Sequence, residues 1–521
     1  MQQWLRLGIA LLLTFIVVLS GAVWVVHAQE SLELEPIEDE RFAIRSVVPA
    51  GWTMLEPGVH ARLDGETDRT IIVLRSVPQG ADELWETLVP QFGLAAPPEP
   101  VGLRQTESLE WTLYRFDGGE TIGDLAFDVG LASDDDQAYI VLVQSPVAER
   151  ADLYEGLFLP ALDAFEPIDP TVFEGAGAVR FAGSADGITL AGSLELPPGE
   201  GPHPAVLLLS GIGPQDRDAN YGQVAPIKPF ELIADALTDA GVAVLRYDDR
   251  GVGASSGDHA ATIVSDFTAD AEAALAFLRS RDDIDPARIG LLGHGEGAIY
   301  AADIAATDPE VAFVVGMAPP AVTGLELLVD QNVNASRALD DSPEGIERVR
   351  DLSRRLYAAV IGLDIPLAEG LTAEFYGSLW DEVDPERRDA LGEREAFVST
   401  QVATQIPIFF SPWYRSFLVT DPAADWAQVE VPILGIFGAS DTQVPGPRNE
   451  LALRSAVASG DGTELTTVIL PGANHLFQAA ETGLVAEYRQ LADTFTPEFL
   501  PTLVDWVVAT TAGDSPTGPQ P

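Results

Sequence analysis

Residues Ile289–Tyr300 read Ile-Gly-Leu-Leu-Gly-His-Gly-Glu-Gly-Ala-Ile-Tyr. A short apolar run suited to a buried strand meets a tight glycine-rich corner, and small and apolar residues able to open a helix follow. This is the layout of a nucleophile elbow, in which Gly-x-Ser-x-Gly lifts a serine hydroxyl above a parallel sheet. Here the frame is Gly293-His294-Gly295-Glu296-Gly297, so the nucleophile position, Gly295, carries no side chain. No shift of register supplies the hydroxyl, because no serine lies between Ser280 and Ser336.

Outward from this corner the pattern is that of an α/β protein. Upstream, Val179–Ala182 and Ile188–Leu196 alternate like antiparallel strands, and Ala205–Leu209 and Val242–Arg246 are continuous apolar runs. Helical spacing marks Phe230–Ala240 and Asp266–Arg281 between strands, with Arg288–Leu292 and then Val311–Gly316 as strands. Continuous apolar strands alternating with helices predict a doubly wound, mostly parallel sheet covered on both faces. The alternation stops between Pro319 and about Glu430, where Leu325–Arg337, Ser342–Ile361, Thr372–Val383 and Arg387–Val398 read as helices. An all-helical insert at about 320–430, after the sixth core strand, is expected to act as a cap over a pocket. Ile433–Phe437 and Glu464–Leu470 resume the sheet, and Pro497–Ala509 reads as a closing helix. The α/β domain is thus expected over 179–510, and 511–521 as a disordered tail.

Further upstream, 41–167 is a smaller β-rich α+β domain: Phe42–Val48, Thr70–Val77, Trp111–Phe116, Leu125–Leu131 and Ala138–Gln144 read as strands. Helix candidates lie near Asp82–Phe92 and Asp152–Phe165, while 29–40 and 168–178 read as linkers. The order of strand, Pro-Ala-Gly-Trp turn, further strands and a closing helix resembles PsbP/Mog1-type modules. With no titratable cluster, a structural or binding role is expected there.

The 521 residues carry 81 Asp+Glu against 29 Lys+Arg, a net charge of −52 with Lys228 the sole lysine. Such a field repels nucleic acid and anionic membrane surfaces, so neither is expected as a partner. A solvated acidic surface for solubility is the simplest reading, and adaptation to salt or acid the alternative. The absence of cysteine excludes disulfides, thiolate catalysis and Cys-built metal sites. Residues 1–28 carry Arg6, an apolar run to Val26 and a Val26-His27-Ala28 cleavage-like site, followed at once by Glu30, Glu33 and Glu35. Cleaved export is expected, with residues 7–26 as an uncleaved anchor the alternative and the only expected route to a membrane.

Acyl transfer of this kind needs a nucleophile, a base, an acid that orients the base, and an oxyanion hole, in the chain order nucleophile, acid, histidine. Asp441 follows strand Ile433–Phe437, and His475 follows strand Glu464–Leu470; of the six histidines, His475 is the only one after Asp441. One helix and one strand fit between them, so both loops can return to the same sheet edge. The loop after Ala205–Leu209 contains Gly211 and Gly213, whose bare backbone lets N–H groups face a pocket. The N–H groups of Ile212 and Glu296 are the expected oxyanion donors. Asp248 and Arg250, in Arg246–Gly253, are expected to brace loops by charged hydrogen bonds. His294 and Glu296 are either pocket walls or strand-end residues.

These motifs together identify a resemblance. Residues 180–510 resemble bacterial α/β-hydrolases of the dienelactone-hydrolase/prolyl-oligopeptidase-like group, and within it exported carboxylesterases. The resemblance rests on Ser210–Asp218, Arg246–Gly253, Gly-His-x-Glu-Gly, Ser411-Pro-Trp-Tyr-Arg415, Gly438–Pro445, Leu470–Gln478 and Thr482–Tyr488. It implies an α/β-hydrolase fold and a serine esterase acting on small acyl esters with neither metal nor organic cofactor. By position, Asp441 is its acid and His475 its base. The family's serine is Gly295 here, which implies an inactive or severely impaired esterase. A pseudo-hydrolase that binds an acyl or peptide ligand, or a relative of serine peptidases, are the alternatives.

Overall fold

The structure, a computed structural model, describes residues 32–512 apart from 40–41, 57, 63–67, 69, 78–79, 93, 95, 119–124, 135–136, 169–176, 222–223, 339–341, 383–387, 389–392 and 461–462. The expected export segment and the tail beyond Ala512 lie outside the described residues. Among the described residues no helix is long and apolar enough to cross a membrane. The described residues divide into two compact units, one holding 177–371 and 406–512, the other 32–168 and 372–405.

The N-terminal β-rich region contains β1 (Leu34–Asp39), β2 (Ile44–Pro49), β3 (Thr53–Glu56), β4 (Val59–Ala61), β5 (Ile71–Val77), β6 (Gly102–Gln105), β7 (Glu110–Asp117), β8 (Leu125–Asp134), β9 (Gln137–Pro146) and β10 (Glu166–Pro167). Seven of them form an antiparallel sheet in the order β3-β4-β5-β9-β8-β7-β6, and β1-β2-β10 form a second. Period-two alternation buries both faces of the larger sheet. Val141, Val143, Trp111 and Ile72 pack with Leu157, Phe158 and Leu162 on one side. Ile140, Leu142, Phe127 and Val129 pack with Leu84, Trp85 and Phe92 on the other. Residues 34–39, read from sequence as linker, are a strand. Leu34 and Ile37 pack against the core, a signal that the surrounding Glu and Asp residues obscured.

The larger sheet has eight strands: β11 (Ala178–Ala182), β12 (Thr189–Glu195), β13 (His203–Leu209), β14 (Ala243–Tyr247), β15 (Ile284–His294), β16 (Val314–Met317), β17 (Ile433–Gly438) and β18 (Leu465–Leu470). Their order is β11-β12-β14-β13-β15-β16-β17-β18. β12 runs antiparallel to both neighbours, and every pairing from β14 through to β18 is parallel. The connection β13→β14 steps toward one edge, and those from β14 onward step toward the other. Right-handed crossovers therefore place helix Pro229–Asp239 on one face and helices Val264–Arg279, Gly297–Thr307 and Gly446–Ser459 on the opposite one. The last helix, Phe499–Ala512, packs against Pro229–Asp239. The direction reverses beside β13, and the elbow after β15 opens next to that switch point, where ligands of open α/β sheets bind.

Between β16 and β17 lie helices Gly324–Ala338, Pro343–Ile361, Ile365–Glu382, Arg394–Phe409, Pro412–Val419 and Pro422–Trp426. Three departures from the sequence reading occur here. The third helix begins at Ile365, the fourth spans Arg394–Phe409 despite Pro407 inside it, and the last two were not foreseen. Both short helices start Ser/Asp-Pro. Ser411 accepts from the Tyr414 N–H and Asp421 from the Ala423 N–H, so each dipeptide is an N-cap followed by proline at the first helical position. Pro422–Trp426 rests against helices Gly297–Thr307 and Gly446–Ser459 through Trp426, which is fully buried and donates its indole N–H to Pro320 O at 3.0 Å. Trp426→Ala is expected to cost about 3–5 kcal/mol and Trp426→Phe about 1–2 kcal/mol, from the orphaned carbonyl; urea unfolding of the two variants measures both.

Candidate active site

The elbow is built by close approach. A Cβ on Gly297 would lie 2.1 Å from Leu209 O, so the helix can start against the end of β13 only with glycine there. Gly295 sits at φ +53°, the left-handed turn that a side chain adopts at a cost of roughly 1–3 kcal/mol, and its N–H donates to Met317 O at 2.8 Å. A Cβ at Gly295 would stand 3.3 Å from His475 Nε2 and 3.5 Å from its Cε1, with no other atom beyond the chain neighbours within 4 Å. The missing side chain would therefore point at the imidazole.

His475 lies in the loop after β18, and its Nδ1 is 2.8 Å from Asp441 Oδ2. The other oxygen, Oδ1, accepts the N–H groups of Gln443 and Val444, each at 2.8 Å. Asp441 thus uses both oxygens as acceptors, which places the shared proton on Nδ1 and leaves Nε2 of the neutral ring unprotonated. Asn474 shapes the loop by accepting from the N–H groups of Leu476 and Gln478. Phe477 takes a left-handed turn (φ +59°) secured by its ring stacked on Phe499. His294, fully buried, hydrogen-bonds through Nε2 to His475 O at 3.0 Å. Burial, then the neighbouring His475, lowers its pKa to about 3, so it stays neutral and acts as a donor that pins the His475 backbone.

The loop after β13 is fixed by Asp249. Its Oδ1 accepts from Ser210 Oγ at 2.5 Å and its Oδ2 from Gln215 N at 2.9 Å, while its own N–H donates to Gln215 O. Burial pushes its carboxyl well up from the ordinary range. Gly213 turns the loop at φ +90°, and Gln215 Nε2 donates to Ile212 O at 3.2 Å. Gly211 lies against His294, a Cβ there reaching 3.2 Å from the His294 carbonyl oxygen. Asp248 forks with Arg217 (3.0 and 2.7 Å) and accepts the Arg217 and Ala254 N–H groups, tying two loops together. Arg250 forks with Asp270 at 2.8 Å and also reaches Ser184.

Glu296 is buried. Its backbone begins helix Gly297–Thr307, and its Oε1 accepts the Trp413 indole N–H at 2.9 Å. With Ser210, Gly211, Asp249, Phe267 and Tyr300, these two residues line a pocket of about 10 Å³, the size that admits one water molecule. Sequence reasoning singled out neither Trp413, Tyr300 nor Asp249 as a site residue. Asp249 is next to Asp248 in a charged loop, and only the buried end of β14 decides which of the two faces inward.

A strand order with one antiparallel strand, an elbow after β15, and an Asp–His pair on the loops after β17 and β18 meet at one sheet edge. The family described as serine aminopeptidase, S33, matches residues 224–337, which include that elbow. The strand order, the elbow and the Asp–His pair are those of an α/β-hydrolase fold. Among curated relatives, esterase EstD of Thermotoga maritima is 37% identical over 142 residues, 27% of this chain and 33% of EstD. The chain thus spans about a third of that esterase's length. A 31.7 kDa Escherichia coli protein of the traX-finO intergenic region is 25% identical over 279 residues, 53% of this chain and 85% of that one. Two solved structures are similar at low identity. 2,6-Dihydroxy-pseudo-oxynicotine hydrolase is 18% identical with a TM-score of 0.37, over 71% of this chain and 76% of its own. Est1E of Butyrivibrio proteoclasticus, solved with ferulic acid, is 15% identical with a TM-score of 0.36, over 64% and 98%.

Burial raises the Glu296 carboxyl from 4.5 to about 7, against the opposing hydrogen bonds of Trp413 and Tyr300. The folded state therefore holds this proton more tightly than the unfolded chain does. Its stability contribution is intact below pH 4.5 and declines as pH rises to about 7, by on the order of 3 kcal/mol. Glu296→Gln keeps an oxygen for Trp413 and removes that decline. Thermal melts from pH about 4.5 to about 8 should show the variant gaining on the parent up to about pH 7 and then holding a constant lead.

Proposed function

We propose that this chain is a carboxylic-ester hydrolase scaffold in which Gly295 occupies the nucleophile position. Asp441 orients His475, His475 is the general base, and the N–H groups of Ile212 and Glu296 receive the oxyanion. Among the described residues neither N–H makes a hydrogen bond within the chain, as a donor kept for ligand would require. The observation that carries the proposal is the alignment of His475 Nε2 with the point a side chain at 295 would reach, while Nδ1 is held by Asp441. Three of the four parts of an acyl-transfer site are supported in this way; the fourth would be one hydroxyl. Similarity to an esterase favours esters. Trp413, brought from the insert onto Glu296, supports a cap role for those helices. No step of this proposal calls for a metal or organic cofactor.

The match to the serine aminopeptidase family favours a second reading, cleavage of aminoacyl amides by the same parts. Without a nucleophile no acyl-enzyme forms, and loss of the serine from a comparable triad lowers turnover by roughly six orders of magnitude. Gly295→Ser should therefore raise hydrolysis by orders of magnitude at an expense of about 1–3 kcal/mol in stability, from a side chain in the left-handed turn. Assays on short-chain aryl esters and on aminoacyl amides separate the two readings. Inactivity of a folded Gly295→Ser protein on both would refute each of them. If that inactive protein were still thermally protected by an acyl ligand, a binding role would replace them.

A further inference from the structure

We infer that the Asp441–His475 pair of the glycine-bearing chain activates water directly, hydrolysing activated carboxylic esters such as aryl esters in a single displacement with no acyl-enzyme intermediate. This rests on the ester-hydrolase reading above and concerns what that site does with glycine in place.

The space in front of His475 Nε2 is the ground for it. Apart from the ring itself, no atom beyond the chain neighbours comes within 4 Å of the point where a Cβ on Gly295 would lie. The His294 ring lies beside the base, 4.5 Å away between ring centroids, and apart from the two chain neighbours no side chain fills the place of the missing hydroxyl. Nε2 makes no hydrogen bond within the chain among the described residues, and the proton on Nδ1 is held by Asp441 at 2.8 Å. The His475 side chain retains 10% of its exposure, so solvent reaches it. An oxygen placed where a serine hydroxyl would sit is one covalent bond from that Cβ point and within the 2.6–3.2 Å or so at which a base takes a proton. A water molecule needs no covalent tether to occupy the same place.

The step balances without a further reagent. As the water oxygen bonds to the ester carbonyl carbon, one of its protons passes to Nε2, and the carbonyl π pair moves onto oxygen beside the N–H groups of Ile212 and Glu296. On collapse the C=O bond reforms and the bond to the alkoxy oxygen breaks. The leaving oxygen takes the proton from Nε2, and the acid, the alcohol and the resting Asp–His pair result. Good leaving groups are required, because a poor one partitions back to water and ester. Aryl esters are therefore the expected substrates, and alkyl esters and amides are not.

The test uses the full chain and p-nitrophenyl acetate. Turnover above the buffer rate should be linear from the first time point, with no burst. It should fall by roughly 10² or more in His475→Ala, the usual contribution of a positioned base. An organophosphonate should leave both the rate and the protein mass unchanged. His475→Gln serves in place of His475→Ala should that variant fail to fold, and Gly295→Ser supplies the contrast, with a burst, a phosphonate adduct and loss of activity on labelling. Turnover abolished by the phosphonate, or unaltered when His475 is replaced, would overturn the single-displacement route. So would a native chain without His475-dependent turnover beside an active Gly295→Ser, which would leave the ester-hydrolase reading standing. Inactivity of both proteins on esters would bring down that underlying reading as well.

Discussion

The contact on which the site depends is the crossing of helix Gly297–Thr307 over the end of β13. There Gly297 lies so close to Leu209 O that a single methyl group would collide with backbone. Backbone against backbone leaves nothing to rotate away, so the crossing fixes three things together. It sets the sharpness of the turn at Gly295, the position of the Glu296 N–H, and the start of the loop Ser210–Gly213. Met317 O stiffens the turn and Asp249 the loop, while His294 pins the backbone of the facing His475. A site assembled from four loops is held by one van der Waals limit and a few buried polar pairs. None of these contacts uses a side chain at 295, so the frame stands without one.

Much of the sheet was legible because buried parallel strands are written as uninterrupted apolar runs, as in Ala205–Leu209 and Ile433–Phe437. The elbow and the two loops after β17 and β18 were legible because their residue types are constrained by chemistry. Strand β1 was not, since its two core-facing residues stand among four acidic or turn-forming ones. Nor were helices Pro412–Val419 and Pro422–Trp426, whose Ser-Pro and Asp-Pro starts signal turn and helix N-terminus alike until packing selects between them. Trp413 and Tyr300 were beyond sequence for a different reason. Their part is defined by a carboxylate more than a hundred residues away from one and four from the other, and spacing says nothing about which face of a helix will meet it.

His294 and Glu296 flank the same glycine, yet burial drives them in opposite chemical directions toward one outcome, neutrality. The imidazole sheds its proton down to about pH 3 and the carboxylic acid keeps its own up to about pH 7. Over the range between, the elbow carries no net charge of its own. The field at the Ile212 and Glu296 N–H groups is then set by backbone dipoles and by Asp441, not by the two side chains nearest in sequence.

The hydrogen bond from Trp413 to Glu296 joins the helical insert to a titrating group, and joined equilibria are reciprocal. The indole N–H is one of two donors that hold the Glu296 carboxyl below what burial alone would impose, so losing it while the carboxyl stayed buried would raise the affinity for a proton. Conversely, proton loss strengthens the contact, because a carboxylate is the better acceptor for the indole N–H. The contact that ties the insert to the elbow thus tightens as the acidity of the medium falls.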